Sequence, residues 1–337
     1  MLKTKIIKTS NYFIKILIII LSFGFIAYRL LYKHDVSELA EGFRSMGAEH
    51  GSLIILIVVF IMMLLNWAFE TVKWQYLIKK IEKVSFINSL MAVWAGLTTS
   101  SFTPNRTGEY FARAFILDKA NRWEGIFITF IGSLSQLIPT MLFGTIAGFF
   151  FVASLHNGPF QDKLFVYYIL LGISVIFTAL VLIFYFRVSW LKHFFQKLIP
   201  KKYAEFRAHF DVYSGYSFNE LFNALVLSII RYAIFAIQFY LLIRICHIDI
   251  PFWDGIMLVC SIFLVTTAIP TFAMTELGVR GSVSILLFDM FFQNHAIVAD
   301  LSSEVFLSSF MIWFINLIIP AIIGGFFVFK LKFFRKQ

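Results

Sequence analysis

Two short stretches hold the residues most able to do chemistry. "TTSSFTPNRTGEYFAR" (98–113) and "TTAIPTFAMTELGVR" (266–280) both read Thr-Thr, then Pro, then Glu four residues ahead of Arg. The pairs are Glu109 with Arg113 and Glu276 with Arg280, and the first stretch adds Arg106. Arg offers a planar fork of donors that fits a phosphate. The carboxylates can accept a cationic headgroup, carry a proton or hold the Arg side chains. Thr107 and Thr275 are placed to cap half-helices, which sets each Glu in a first turn where the helix dipole favours it. The Glu-to-Arg spacing is the favourable order for an intrahelical pair, about 0.2–0.5 kcal/mol in water. An isolated charge at the bilayer centre costs about 3 kcal/mol. The residues therefore either cap and pack a buried half-helix or form a polar substrate site, and a pure scaffold would use Leu at less cost.

Other embedded polar residues belong to the same question. Arg231 is deep in an apolar run and needs a partner, with Glu70, Glu109 and Glu276 available. Gln136 and Asn316 stand shortly before Pro139 and Pro320. They either line a cavity or bridge backbone groups that the Pro frees. Trp67 and Trp74 read as interfacial or packing aromatics, and Asp289 and Glu304 as residues near the outer interface. Cys246 and Cys260 have no metal spacing. No metal or cofactor is expected, and no Gly-x-x-x-x-Gly-Lys-Ser/Thr stretch is present for ATP.

The elements that must position these residues are membrane helices. The chain has 337 residues, 60% hydrophobic, 19% aromatic and 14% charged. A soluble domain has about half its residues apolar and a quarter charged. Long apolar runs at roughly 11–32, 51–78, 125–154, 164–187, 218–245 and 304–330 predict spans. The fold class is an all-α polytopic membrane protein. A net charge of +10 reports orientation and anionic headgroups here rather than nucleic acid. Basic residues gather in the N-terminal tail, after the second span (Lys73, Lys79, Lys80, Lys83), after the fourth (187–207) and in the C-terminal tail. Both termini are therefore expected in the cytoplasm. The N-terminal run reads as a retained signal anchor. By parity, 85–119 leaves and returns on the cytoplasmic side, and 251–292 does the same on the outer side. Each is a re-entrant hairpin or a pair of spans, broken near Pro104 and Pro270.

A repeat connects these parts. "NWAFETVKWQYLIKK" (66–80) aligns without a gap on "RYAIFAIQFYLLIRI" (231–245), an offset of 165. The two Glu-x-x-x-Arg stretches follow, and then "QLIPTMLFGTIAGFF" (136–150) matches "NLIIPAIIGGFFVF" (316–329). The first blocks run in opposite directions across the membrane. The expectation is one membrane domain, 1–330, of two inverted repeats at about 10–154 and 164–330, each with three spans and a broken hairpin, followed by a tail at 331–337. Transporters of this plan hold a site near the midplane. In 187–210, Trp190, Leu191, Phe194, Phe195 and Leu198 recur at helical spacing among basic residues. That stretch reads as an interfacial amphipathic helix or as a basic loop.

"TPNRTGEYFARAFIL" resembles the Pro-x-x-x-Gly-Glu-x-x-x-Arg element of the lysylphosphatidylglycerol synthase transmembrane-region family. "IPTFAMTELGVRG" is similar to the family's second element, with departures: Glu276 precedes Gly-Val-Arg, Gly281 stands where the family often has Glu, and Thr271, Phe272 and Ala273 replace a Gly-rich turn. The resemblance implies a flippase-like protein of a bacterial-type inner membrane that handles a phospholipid, an aminoacylated lipid or a polyprenyl-linked lipid. The family's aminoacyl-transferring members carry a soluble C-terminal domain. This chain ends seven residues after its last expected span, so synthesis by it alone is not expected. The leading expectation is a lipid-headgroup transporter whose partners are membrane lipids. The alternatives are a membrane enzyme acting on a lipid phosphate, for which Asp35, Glu38 and Glu41 offer an acidic loop, and an accessory subunit with a partner enzyme.

Overall fold

The computed structural model describes residues 50–101, 103, 106–157, 159–270, 273–295, 301–329 and 331. The expected first span, the acidic loop at 35–41, Pro104, Thr271, Phe272 and the C-terminal tail lie outside these residues. All regular structure among the described residues is helical. The α-helices of seven or more residues are α1 (His50–Ile78), α2 (Phe86–Ser100), α3 (Gly108–Ala114), α4 (Arg122–Ser154), α5 (Leu164–Phe186), α6 (Ser189–Leu198), α7 (Phe218–Ile245), α8 (Phe252–Ala268), α9 (Ala273–Asn294), α10 (Ser302–Trp313) and α11 (Ile319–Val328). A π turn, Phe314–Ile318, joins α10 to α11.

Segments Gly51–Ile78, Arg122–Ser154, Gln161–Phe186, Phe218–Ile245 and Ser302–Val328 are long and apolar enough to cross a membrane. They match every expected span that falls among the described residues. Helix α1 has 29 residues. At 1.5 Å per residue it exceeds a hydrocarbon core of about 30 Å. Its first half exposes Leu53, Ile54, Ile57 and Ile61, while its second half buries Trp67, Glu70, Lys73 and Trp74. Helix α5 buries only Leu164, Thr178 and Tyr185, so it sits at the rim, held to α4 by the Thr145–Ser174 hydroxyl pair at 2.6 Å.

Three helix pairs make the frame: α1 with α7, α2 with α11, and α4 with α8. Apolar tails offer no hydrophobic drive between helices, so close backbone approach through small residues carries the packing. At Gly324 an added Cβ would stand 2.0 Å from the Trp94 carbonyl oxygen. Thr98 Oγ1 donates to the Ala321 carbonyl at 2.6 Å in the same contact.

The breaks have a local chemistry. At the end of α2, Thr99 Oγ1 donates to the Gly96 carbonyl at 2.9 Å, and Ser100 and Ser101 donate to the Leu97 carbonyl at 2.8 and 3.0 Å. The Thr-Thr-Ser-Ser run thus satisfies terminal carbonyls that have no further turn to bond. The expected cap is corrected. Thr107 makes no capping bond, and Thr103 Oγ1 accepts from Gly108 N at 2.8 Å. A Cβ at Gly108 would lie 2.4 Å from the Thr99 carbonyl oxygen, so α3 approaches α2 at a distance that only glycine permits. Thr275 lies inside α9 rather than before it. Arg106 takes a left-handed backbone, φ 57°, a conformation that costs an L-residue about 1–2 kcal/mol.

At one end of the bundle, the Glu82 carboxylate accepts backbone N–H groups from Asp118, Lys119 and Ala120 at 3.0, 2.8 and 2.8 Å. Burial alone would raise its pKa, but the three donors outweigh burial and hold the carboxyl below its ordinary value. A carboxyl depressed in the folded state contributes stability above its unfolded pKa, and that contribution is lost as pH falls through the folded value.

Replacing Glu82 by Gln therefore lowers the melting temperature at neutral pH, and the gap to wild type narrows as pH drops below about 4. Thermal unfolding in detergent across a pH series reads both effects. Gly324→Val forces α2 off α11 and destabilises by about 1–3 kcal/mol. Gly172→Ala, in the interior of α5 where an added Cβ meets nothing within 4 Å, removes the helix penalty of glycine, about 0.5–1 kcal/mol, and raises the melting point slightly in the same assay.

Candidate functional site

The site begins on α1. Asn66, Glu70 and Lys73 recur at helical spacing and form a polar stripe in an apolar span. Glu70 is the hub. It meets Lys73 Nζ at 2.8 Å, Arg113 Nη1 at 2.6 Å and Arg231 Nη1 in a short contact. Arg113, from α3, also pairs with Glu109 one turn before it. Arg231, from α7, donates through Nε to Asn66 Oδ1 at 2.8 Å and through Nη1 to Gln136 Oε1 at 2.8 Å. Its guanidinium lies 5.3 Å from the Trp67 ring centre.

A second cluster joins the two Glu-x-x-x-Arg stretches. Arg106 Nη2 bonds both Glu276 oxygens, at 3.0 and 2.7 Å. Arg280 Nη2 bonds Glu276 Oε1 at 2.7 Å, in the expected one-turn pair. The Arg280 guanidinium stands near the Phe235 and Phe263 rings, at 5.7 and 5.9 Å.

Between the clusters lies a cavity of about 200 Å³. Arg106, Arg231, Arg280 and Glu276 supply its charge; Gln136, Thr140, Thr266, Thr267 and Asn316 add polar groups; Trp67, Tyr232, Phe235, Phe263 and Trp313 form aromatic walls. Within that lining Trp67 Nε1, Trp313 Nε1, Arg280 Nε and Asn316 Oδ1 are buried without a protein partner. A buried polar group left unpaired costs free energy, and four such groups belong to side chains that line one polar cavity, which marks it as a candidate place for a ligand.

The structure brings together most of the residues read from sequence. Arg106, Glu276, Arg280, Arg231, Gln136 and Asn316 line the cavity, while Glu109 and Arg113 support it from the Glu70 side. Of the partners open to Arg231, Glu70 is the one engaged. Asn316 also donates to the Ile312 carbonyl at 3.3 Å within the π turn, so it both bridges backbone and faces the cavity. Lys73 is a correction. Its sequence position suggested the basic flank of a span, but it is buried and donates to the Gly132 carbonyl and Ser228 Oγ at 3.1 and 3.3 Å. Asn66 was missed. The stripe Asn66–Glu70–Lys73, at helical spacing in an apolar run, was the signal that could have found both. Among the described residues no group of His, Cys, Asp and Glu side chains is placed to hold a metal ion.

Removing the hub charge leaves Lys73 and Arg231 without a carboxylate in a low-dielectric interior and Arg113 with Glu109 alone. Glu70→Gln is expected to destabilise the fold by about 3–5 kcal/mol, the range for breaking a buried pair. Glu109→Gln is expected to cost less, because Arg113 keeps Glu70. Comparative melting in detergent orders the two variants.

Neither a curated protein nor a solved structure matches the chain. The model for the lysylphosphatidylglycerol synthase TM region matches residues 12–299. That stretch takes in both Glu-x-x-x-Arg motifs and every charged residue of the two clusters, and the chain belongs to this family of membrane proteins.

Proposed function

We propose that the protein moves an anionic lipid between leaflets in a flippase-like cycle, with the headgroup phosphate held in the central cavity. The observation that carries this reading is charge. The lining sets Arg106, Arg231 and Arg280 against the one carboxylate of Glu276. With the supporting residues counted, Lys73, Arg106, Arg113, Arg231 and Arg280 face Glu70, Glu109 and Glu276, an excess of two positive charges. Such an excess in a membrane interior favours an anion as its counter-charge. A cavity of about 200 Å³ is smaller than the roughly 300–1,000 Å³ of pockets that enclose a whole small molecule. It fits a headgroup with the acyl chains left in lipid.

Movement follows from an exchange of partners. Arg106, held in a left-handed backbone, reaches across to Glu276 and latches one hairpin to the other. An entering phosphate competes with Glu276 for Arg106. Glu276 keeps Arg280 one turn away, so it is not left without a cation. The latch opens without stranding a charge.

Inverted repeats supply the frame in which such a latch could alternate. Their support is local. Asn66 and Arg231, which the sequence offset equates, are hydrogen-bonded to each other, as residues flanking a two-fold axis would be. From that point Lys73 reaches Ser228 on α7, and Gln238 reaches the Val59 carbonyl on α1 in the opposite sense, at 2.8 Å. Helix α2 packs on α11 as α8 packs on α4, the pairing that exchange of the two repeats requires. Re-entrant hairpins, both termini in the cytoplasm and an inner-membrane location belong to the same proposal.

The test is translocation in proteoliposomes, with labelled anionic, zwitterionic, aminoacylated and polyprenyl-phosphate lipids. Wild type should move an anionic class. Arg280→Gln should slow that movement by about tenfold or more, the scale of one lost charge-assisted contact to the phosphate. Failure of folded, inserted protein to move any lipid overturns the reading.

A further inference from the structure

We infer a second lipid site, separate from the central cavity: α6 and the turn after it form a groove for the headgroup of an anionic phospholipid in the adjoining leaflet. Helix α6 presents Trp190, Phe194 and Leu198 on one stripe, and all are exposed. The stripe continues a longer apolar face. Phe177, Leu180, Ile183 and Phe184 on α5 are exposed too, and the Phe184 and Trp190 rings meet edge to face at 6.5 Å. A surface that hydrocarbon covers along α5 thus passes onto α6. The side chains of Leu191 and Phe195 lie outside the described set.

The other face of α6 is fixed to protein. Lys192 pairs with Asp211 at 2.9 Å, and Gln196 Nε2 donates to Asp211 Oδ1 at 3.2 Å. The segment 209–215 is anchored in turn by Phe210 stacked on Phe127 of α4 at 4.3 Å. The helix is therefore held at a set position rather than tethered loosely.

Beside the apolar stripe lies a groove of about 490 Å³, lined by His193, Gln196, Lys197, Ile199, Pro200 and Arg207. Lys197 and Arg207 have no carboxylate partner among the described residues. His193, which also lines the groove, bonds the Ser189 carbonyl through Nδ1 at 3.0 Å. Two unpaired cations next to a lipid-facing stripe complement an anionic headgroup whose chains enter the same leaflet. A zwitterionic headgroup carries its own cation and gains less.

Photolabelling tests the site directly. Full-length protein in mild detergent is exposed to diazirine phosphatidylglycerol and, in parallel, to diazirine phosphatidylcholine, and labelled peptides are mapped. Residues 189–207 should take the anionic probe in preference. The double variant Lys197→Gln, Arg207→Gln should lose that label by about tenfold or more, the scale of two basic side chains at an anionic surface. Label on peptides of the central cavity should be unchanged in the variant, whose Lys192 and Gln196 anchors are intact. Equal labelling by the two probes, or label that persists in the variant, overturns the inference. Displacement of the label by millimolar glycerol phosphate would also overturn it, by assigning the groove to a soluble phosphate.

Discussion

The charged network that ties α1 to α3 and α7 depends on Glu70. It is one carboxylate set among Lys73, Arg113 and Arg231, which come from three different helices. In a hydrocarbon setting none of those cations can turn to water. Their positions are therefore fixed by where the carboxylate stands on α1. Through Arg113 the hub holds α3, and through Arg231 it holds α7 and Gln136 of α4. A buried network of this kind is a poor source of net stability but a strong source of geometry, because any misplacement leaves a charge uncompensated.

The second consequence is a division of labour between the two copies. Glu109–Arg113 and Glu276–Arg280 are the same motif, yet only the first copy has a hub behind it. The offset that equates Asn66 with Arg231 equates Glu70 with Phe235 and Lys73 with Gln238. So Glu276 turns across the cavity to Arg106, while Glu109 stays with Arg113. One side of the cavity is a fixed cationic wall. The other holds the Arg106–Glu276 pair, with Arg106 partly exposed.

The frame and the site impose opposite demands, and the sequence meets them in different places. Close packing uses glycine at Gly324 and Gly108, where backbone meets backbone. The site uses long side chains with large aromatic neighbours, which keep the helices apart. Thr and Ser mediate where the two meet, by returning hydroxyls to the carbonyls of the broken α2.

Much of this was legible in the linear chain. Long apolar runs located the spans, because hydrocarbon thickness sets a minimum length. The paired Glu-x-x-x-Arg motifs marked residues that gather at and beside the central cavity, because charge in such a chain needs a partner. Helical spacing alone fixed the pairs Glu109–Arg113 and Glu276–Arg280, since those contacts stay within one turn. Contacts between helices were not written there. Lys73 looked like a basic flank because position along a span says nothing of which face meets a neighbour. The cap of α3 fell to Thr103 rather than Thr107 because the backbone turns left-handed at Arg106 between them. Which of three carboxylates would meet Arg231, and that Arg106 would cross to Glu276, depended on side chains far apart in sequence. Sequence settles what local periodicity and solvent demand. Only the packed bundle decides which distant charges share a site, because that choice is made by all the helices at once.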